Sequence, residues 1–185
     1  CPQNKFGNLS YLHSADTVRF IEKYRDIFPD SLNYQIVRDL AGKHHKPINS
    51  FEAIIANADQ ISAGTDRDED LEDGESTQDK KTMYYKTPLV SIFTNIQLNQ
   101  ETAKTEQNSY FPLVKLSTDP ETLFPKKEVS ISYKEYQELW NEFIVDYKEL
   151  KGLPYEQYIS ALDSMLLHYT WCIPSSTMVP KRADI

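Results

Sequence analysis

The chain has 185 residues, which at roughly 150 residues per domain bounds it to one domain, or one domain with appendages. That length buries a sizeable core without metal or disulfide staples. Lys and Arg number 20 against 28 Asp and Glu, a net charge of -8, and no apolar run approaches the roughly 20 residues of a membrane span.

The charge is unevenly placed. Between Asp66 and Asp79 eight acids face one base, Arg67, so this segment carries -7 and the other 171 residues carry -1. The acidic total therefore does not exclude a polyanion partner, although phosphate contacts ordinarily call for basic surface. Twelve Tyr and five Gly argue against a disordered chain. The two cysteines, Cys1 and Cys172, form no disulfide framework, and a reducing cytosol is the simpler setting, so a cytoplasmic location is expected. The chain reads without a signal-peptide pattern, and Cys1 in place of Met reads as a fragment of something longer; the alternative is the lipidated first residue of a mature lipoprotein with a ligand-binding helical domain.

Residues 15–28 predict a helix, with Val18, Phe20, Ile21 and Tyr24 near a 3.6 period, Ser14 as N-cap and Pro29 as terminator. A second helix follows over 33–42, with Ile36, Val37 and Leu40 apolar and Gly42 in the C-cap position. The loop GKHHKP leads to a third helix over 51–63, capped by Ser50, carrying Phe51, Ile54, Ile55, Ala58 and Ile61 as a core face and ended by Gly64. Residues 65–82 are polar, acidic and periodless, and read as a solvated loop or disordered insertion. Residues 88–98 restart order as a short helix or strand, and 110–116 read as an edge strand because Pro112 forbids a central one. Two long helices close the chain. The first, 132–151, carries the stripe Tyr133, Tyr136, Trp140, Phe143, Tyr147 and Leu150. The second, 154–172, carries Tyr155, Tyr158, Leu162, Met165 or Leu166, and Tyr169, with Pro154 at its start and Pro174 after its end. Both stripes read as helix core, and the fold class as mostly α with minor β content.

Four histidines occur, and three lie in the first quarter: His13 before the first helix, and His44 and His45 in the loop after the second. Asp59 lies in the otherwise apolar third helix, where a buried carboxylate costs several kcal/mol unless partnered. His13, His44 (or His45) and Asp59 thus form a candidate constellation of imidazole nitrogen and carboxylate oxygen, a ligand set for Zn, Mn, Fe, Co or Ni. Such an ion acidifies a bound water or clamps phosphodiester oxygens. His168, after a Leu pair in the last helix, reads as a core-edge histidine. The acidic run lacks the spacing of a calcium-binding loop, and no HExxH, CxxC pair, Walker loop or GxSxG motif is present.

Four segments taken in order resemble the N-terminal region of one family, the large signature subunit of type III-A CRISPR effector complexes (Csm subtype, the Cas-ten family). They are YLHSADTVRFI at 11–21, AGKHHKP at 41–47, ANADQISAGTDRDED at 56–70, and the pair YYKTPLVSIFTNI at 84–96 with HYTWCIPSSTM at 168–178. The third is the most specific. The resemblance implies a permuted HD-type helical bundle, with residues 1–83 as the metal and nuclease region, including the acidic loop 65–82. Residues 84–185 would be the rest of the domain and a helical extension toward a palm domain that the sequence lacks.

The resemblance also implies function. Such a domain hydrolyses single-stranded DNA with a divalent metal (Mn, Ni, Co or Mg), in company with other effector subunits and guide RNA and away from membranes. ATP is used only at the palm domain, which makes cyclic oligoadenylates. Carried over by position, His13, His44 and Asp59 match metal-binding residues, His45 matches the second histidine of a doublet found in some members, and His44 and Asp59 are the expected catalytic pair. The family's His-Asp doublet has no counterpart here, so the fragment alone is expected to be inactive. The alternative is a non-catalytic assembly module with an incomplete metal site. The acidic segment 66–79 is expected to tune access of DNA.

Overall fold

A computed structural model describes residues 12–66, 86–92 and 109–174. The fold is mostly helical, as its periodicity predicts, and the described residues group into two compact units. The first holds residues 12–66 with 150–159, and the second holds 86–92, 109–149 and 160–174.

The first unit opens with α1, Leu12–Lys23, followed by a 3-10 turn, Arg25–Ile27. Ala15, Val18, Ile21, Tyr24 and Ile27 form its buried side, the spacing that makes one helical face. Ser14 is not the cap. It lies inside the first turn and is 1 % exposed, because the helix begins earlier than the apolar periodicity suggests. Phe28 is extended at φ -64°, ψ 140°, as the residue before a proline must be.

The second helix, α2, spans Tyr34–Lys43. Asn33 caps it, its side-chain oxygen accepting from the N–H groups of Gln35 at 3.0 Å and Ile36 at 3.3 Å. Gly42 stays helical and buried, and the C-cap falls on His44 in the αR region. An ion pair from Arg38 Nε to Glu22 at 2.6 Å ties α2 to α1, and Arg38 also holds Asp39 at 2.8 Å.

The third helix, α3, runs Ser50–Asp66. Asn49 accepts the N–H of Glu52 at 3.0 Å and so performs the capping expected of Ser50. Gly64 does not end the helix, since a lone glycine costs only about 1 kcal/mol against alanine. The expected core face of α3 is largely in solvent: Phe51 is 74 % exposed, Ile54 60 % and Ile61 70 %. Amphipathic spacing shows that one face is apolar, not that another element covers it.

The second unit contains a short helix, α4, Pro120–Leu123, and the long α5, Tyr133–Lys148. Ser132 and Glu135 form a reciprocal capping box at the start of α5, a pairing that satisfies two otherwise orphaned N–H groups. The last helix, α6, spans Tyr155–Thr170. Its opening residues lie in the first unit, where the Tyr158 ring is 5.9 Å from Phe28, and the remainder lies in the second. Leu139, Phe143 and Tyr147 are the buried side of α5, while Tyr133 and Trp140 face solvent. Trp140 still stacks on Phe143 at 5.4 Å. In α6 Met165 takes the core position and Leu166 is exposed.

The expected strand 110–116 contracts to a bridge at Tyr110, which pairs with Val90 on one side and Lys126 on the other. Pro112 has no N–H to continue a ladder. Leu116 N–H instead donates to the His168 carbonyl at 2.8 Å, and Trp171 Nε1–H donates to the Val114 carbonyl at 2.8 Å. Lys115 pairs with Asp146, and the Tyr169 hydroxyl donates to the same carboxylate at 2.7 Å. The acidic run beyond Asp66, residues 93–98 and residues 175–185 lie outside the described residues.

Candidate metal centre

Histidine placement follows from the helix ends. His13 sits in the first turn of α1, and His44 and His45 follow directly on α2. Packing of α1 against α2 therefore brings together residues as far as 32 positions apart in the sequence. His13, His44 and His45 each offer a ligand atom, all within 4.8 Å of one another. The ring centroids of His44 and His45 are 4.0 Å apart, and those of His13 and His45 4.7 Å.

The hydrogen bonds sort the ring nitrogens by role. His44 Nδ1 lies 2.7 Å from the Ala41 carbonyl. A carbonyl only accepts, so Nδ1 carries the proton and Nε2 keeps its lone pair for a ligand. His45 Nε2 and His13 Nε2 are 2.6 Å apart, so a proton sits between two imidazoles where a cation would replace it. Burial first, then the neighbouring His44 and His13, lower the pKa of His45, while the Asp59 charge works against them. Neutral imidazoles are the form that ligates metal.

The donor set fits a divalent ion. Two imidazoles on one tetrahedral ion with bonds near 2.1 Å place their nitrogens about 3.4 Å apart. That separation falls between the 2.6 Å contact and the 4.8 Å limit of the cluster. His13 is exposed and His44 half-buried, so solvent reaches the cluster.

Asp59 is placed differently from the three histidines. It lies on the exposed surface of α3, outside the set of mutually close ligand atoms, though near enough for its charge to act on His45. The cost argument that singled out Asp59 applies instead to Glu52, whose side chain is 3 % exposed in the same helix. Glu52 Oε2 accepts the Ile48 N–H at 2.7 Å and Oε1 lies 3.6 Å from Lys43 Nζ. A carboxylate between Phe51 and Ala53, just after the histidine loop, was the available signal. His168 takes no part: its Nδ1 donates to the Ser164 carbonyl at 2.6 Å within α6.

No protein-family model matches the chain, and no solved structure does. The chain is similar to the CRISPR system single-strand-specific deoxyribonuclease Cas10/Csm1 (subtype III-A) of Methanocaldococcus jannaschii, with 27% identity over 169 residues. The match covers 89% of this chain and 20% of that protein, so the chain spans about one fifth of the relative's length. No helix among the described residues is long and apolar enough to cross a membrane. Over most of its own length, then, the chain is similar in sequence to a Cas10/Csm1 protein of subtype III-A.

Proposed function

We propose that the chain is the nuclease region of a type III-A CRISPR effector large subunit, an HD-type domain that cleaves single-stranded DNA with a divalent metal. The observation that carries this reading is the three-imidazole cluster of His13, His44 and His45, in a chain similar to a protein described as a single-strand-specific deoxyribonuclease. His13, His44 and His45 would hold the ion, and three imidazole nitrogens suit Mn, Ni or Co better than the oxygen-seeking Mg. When bound, it supplies an acidified water and neutralises charge on a phosphodiester.

The remaining work falls to the chain itself. The Ala41 carbonyl fixes the His44 tautomer, which orients the lone pair before any ion arrives. Asp59 supplies negative charge beside His45, and His44 and Asp59 are the pair on which turnover depends. Partners are the other effector subunits, guide RNA and the DNA strand in the cytoplasm, and ATP belongs to a different part of the longer protein.

The test is Mn²⁺-dependent cleavage of single-stranded DNA by the longest natural protein carrying this segment. His44→Ala and Asp59→Ala are each expected to lower the rate by about 100-fold or more. Unchanged cleavage overturns the site.

One observation favours a second reading, an assembly module without catalysis. An apolar groove of about 540 Å³ lies between α2 and α3, lined in part by Ile36, Leu40, Ile48 and Phe51, beside the exposed face of α3. Under that reading the same variants leave cleavage unchanged, while Phe51→Asp prevents complex assembly.

A further inference from the structure

We infer that Glu52 is a positioning residue for the histidine cluster, gripping the loop that carries His44 and His45 from both sides. The inference rests on the reading of that cluster as a metal site. One carboxylate spans the loop: Oε1 is 3.6 Å from Nζ of Lys43, the residue before His44, and Oε2 accepts the N–H of Ile48, three residues after His45, at 2.7 Å. The loop is also stitched internally, with Lys46 N–H donating to the Lys43 carbonyl at 2.9 Å. Lys43 is steadied from α2 by Asp39 at 3.2 Å, and Asn49 accepts the Glu52 N–H at 3.0 Å.

Burial gives this arrangement its stiffness. A carboxylate 3 % exposed is tolerable only while its charge and lone pairs are satisfied. If the loop moves away, the carboxylate loses the Ile48 N–H, and any shift of Lys43 at the end of α2 removes its counter-charge as well. The loop therefore has one strongly favoured position, and His44 and His45 ride on it. Glu52 is not one of the mutually close ligand atoms, so its action passes through the Lys43 ammonium and the Ile48 amide. This is the logic of an outer-shell residue, which orients ligands without touching the ion.

The experiment is a Co²⁺ titration of the intact protein carrying this segment, followed by the visible absorption of the bound ion. In parallel, the helical circular dichroism of each variant is recorded. Wild type is expected to bind with a tetrahedral-type spectrum. Glu52→Ala is expected to weaken Co²⁺ binding by about 10- to 100-fold and to alter the spectrum at saturation. Glu52→Gln keeps the shape and an acceptor for Ile48 N–H but loses the charge opposite Lys43, so a smaller loss of affinity with native circular dichroism is expected. Where Glu52→Ala fails to fold, Glu52→Gln and Lys43→Met carry the test. A residue that only supported the start of α3 would lower the melting temperature and leave the spectrum of the loaded site unchanged, and that result overturns the inference. A wild type that binds no Co²⁺ overturns the metal reading itself, and the inference with it.

Discussion

Two carboxylates and one hydroxyl show how single side chains divide between structure and chemistry. Asp59 and Glu52 share α3, yet only Glu52 is buried, and it is the one with two partners. From the sequence both are acids among apolar residues, and nothing in the spacing tells which side faces inward when most of the helix is exposed. Ser14 is the opposite case. Its hydroxyl is buried and has no hydrogen-bond partner among the described residues, although Ser before an apolar periodicity reads as a cap. A buried hydroxyl without a partner costs about 1–3 kcal/mol of desolvation. Ser14→Ala removes that cost, less a small loss of packing, and is expected to stabilise the protein by up to about 1 kcal/mol, a rise of about 2–4 °C in melting temperature for a chain of this size. Scanning calorimetry measures it, and a lowered melting temperature would show that the hydroxyl has a partner in solution.

The helices themselves were legible because their signals are local. The apolar periods of α1, α5 and α6 place Val18, Phe143 and Tyr158 inside as read, whereas the caps fall on Asn33, Asn49 and Ser132 and not on the expected Ser14 and Ser50. Helix ends were less legible at glycine. Gly42 and Gly64 remain helical, whereas Gly152, in the turn between α5 and α6, takes φ +83°. That left-handed conformation penalises any Cβ. A Cβ built at Gly152 meets nothing within 4 Å, so the penalty of substitution comes from the backbone alone. Gly152→Ala is expected to lose about 1 kcal/mol in chemical denaturation, and Gly152→Asn less, since asparagine tolerates this region. Equal stability of all three proteins would mean that the turn relaxes to another conformation. The strand expected at 110–116 is cut short by a local cause, the missing N–H of Pro112, and by a long-range one that no local pattern encodes, the capture of its Leu116 N–H by the end of α6. The histidine cluster lies between these cases. Its members are visible as histidines near helix ends, but their meeting depends on the packing of α1 against α2, and the Glu52 grip on their loop depends on burial.

Charge now enters through the protonation of particular groups rather than through the net figure of -8. On the acid side the Lys151 hydrogen bond lowers Asp26, and Lys43 and Arg38 outweigh burial to lower Asp39. In the second unit the Ser132 hydroxyl lowers Glu135, and Lys115 followed by Tyr169 lowers Asp146. A depressed carboxylate contributes stability that is present above its unfolded pKa and is lost as pH falls through the folded one. Both units therefore weaken on acidification below the ordinary carboxylate range. On the alkaline side burial pushes the Cys172 thiol up to about 11 and the Tyr169 phenol up to about 12. Their unfolded counterparts release protons from 9.0 and 10.0 upward, so the unfolded state gains as pH rises. While one such group is protonated only in the folded state, stability falls by about 1.4 kcal/mol per pH unit. Thermal melts across pH are thus expected to show a plateau near neutrality with a decline beginning above pH 9. Cys172→Ala should make the decline between pH 9 and about 11 shallower. Tyr169→Phe should flatten the limb above pH 10 while lowering the plateau, because Asp146 loses the phenol that donates to it. A Cys172→Ala profile parallel to wild type from pH 9 upward would show that the thiol ionises alike in both states, and would contradict its burial.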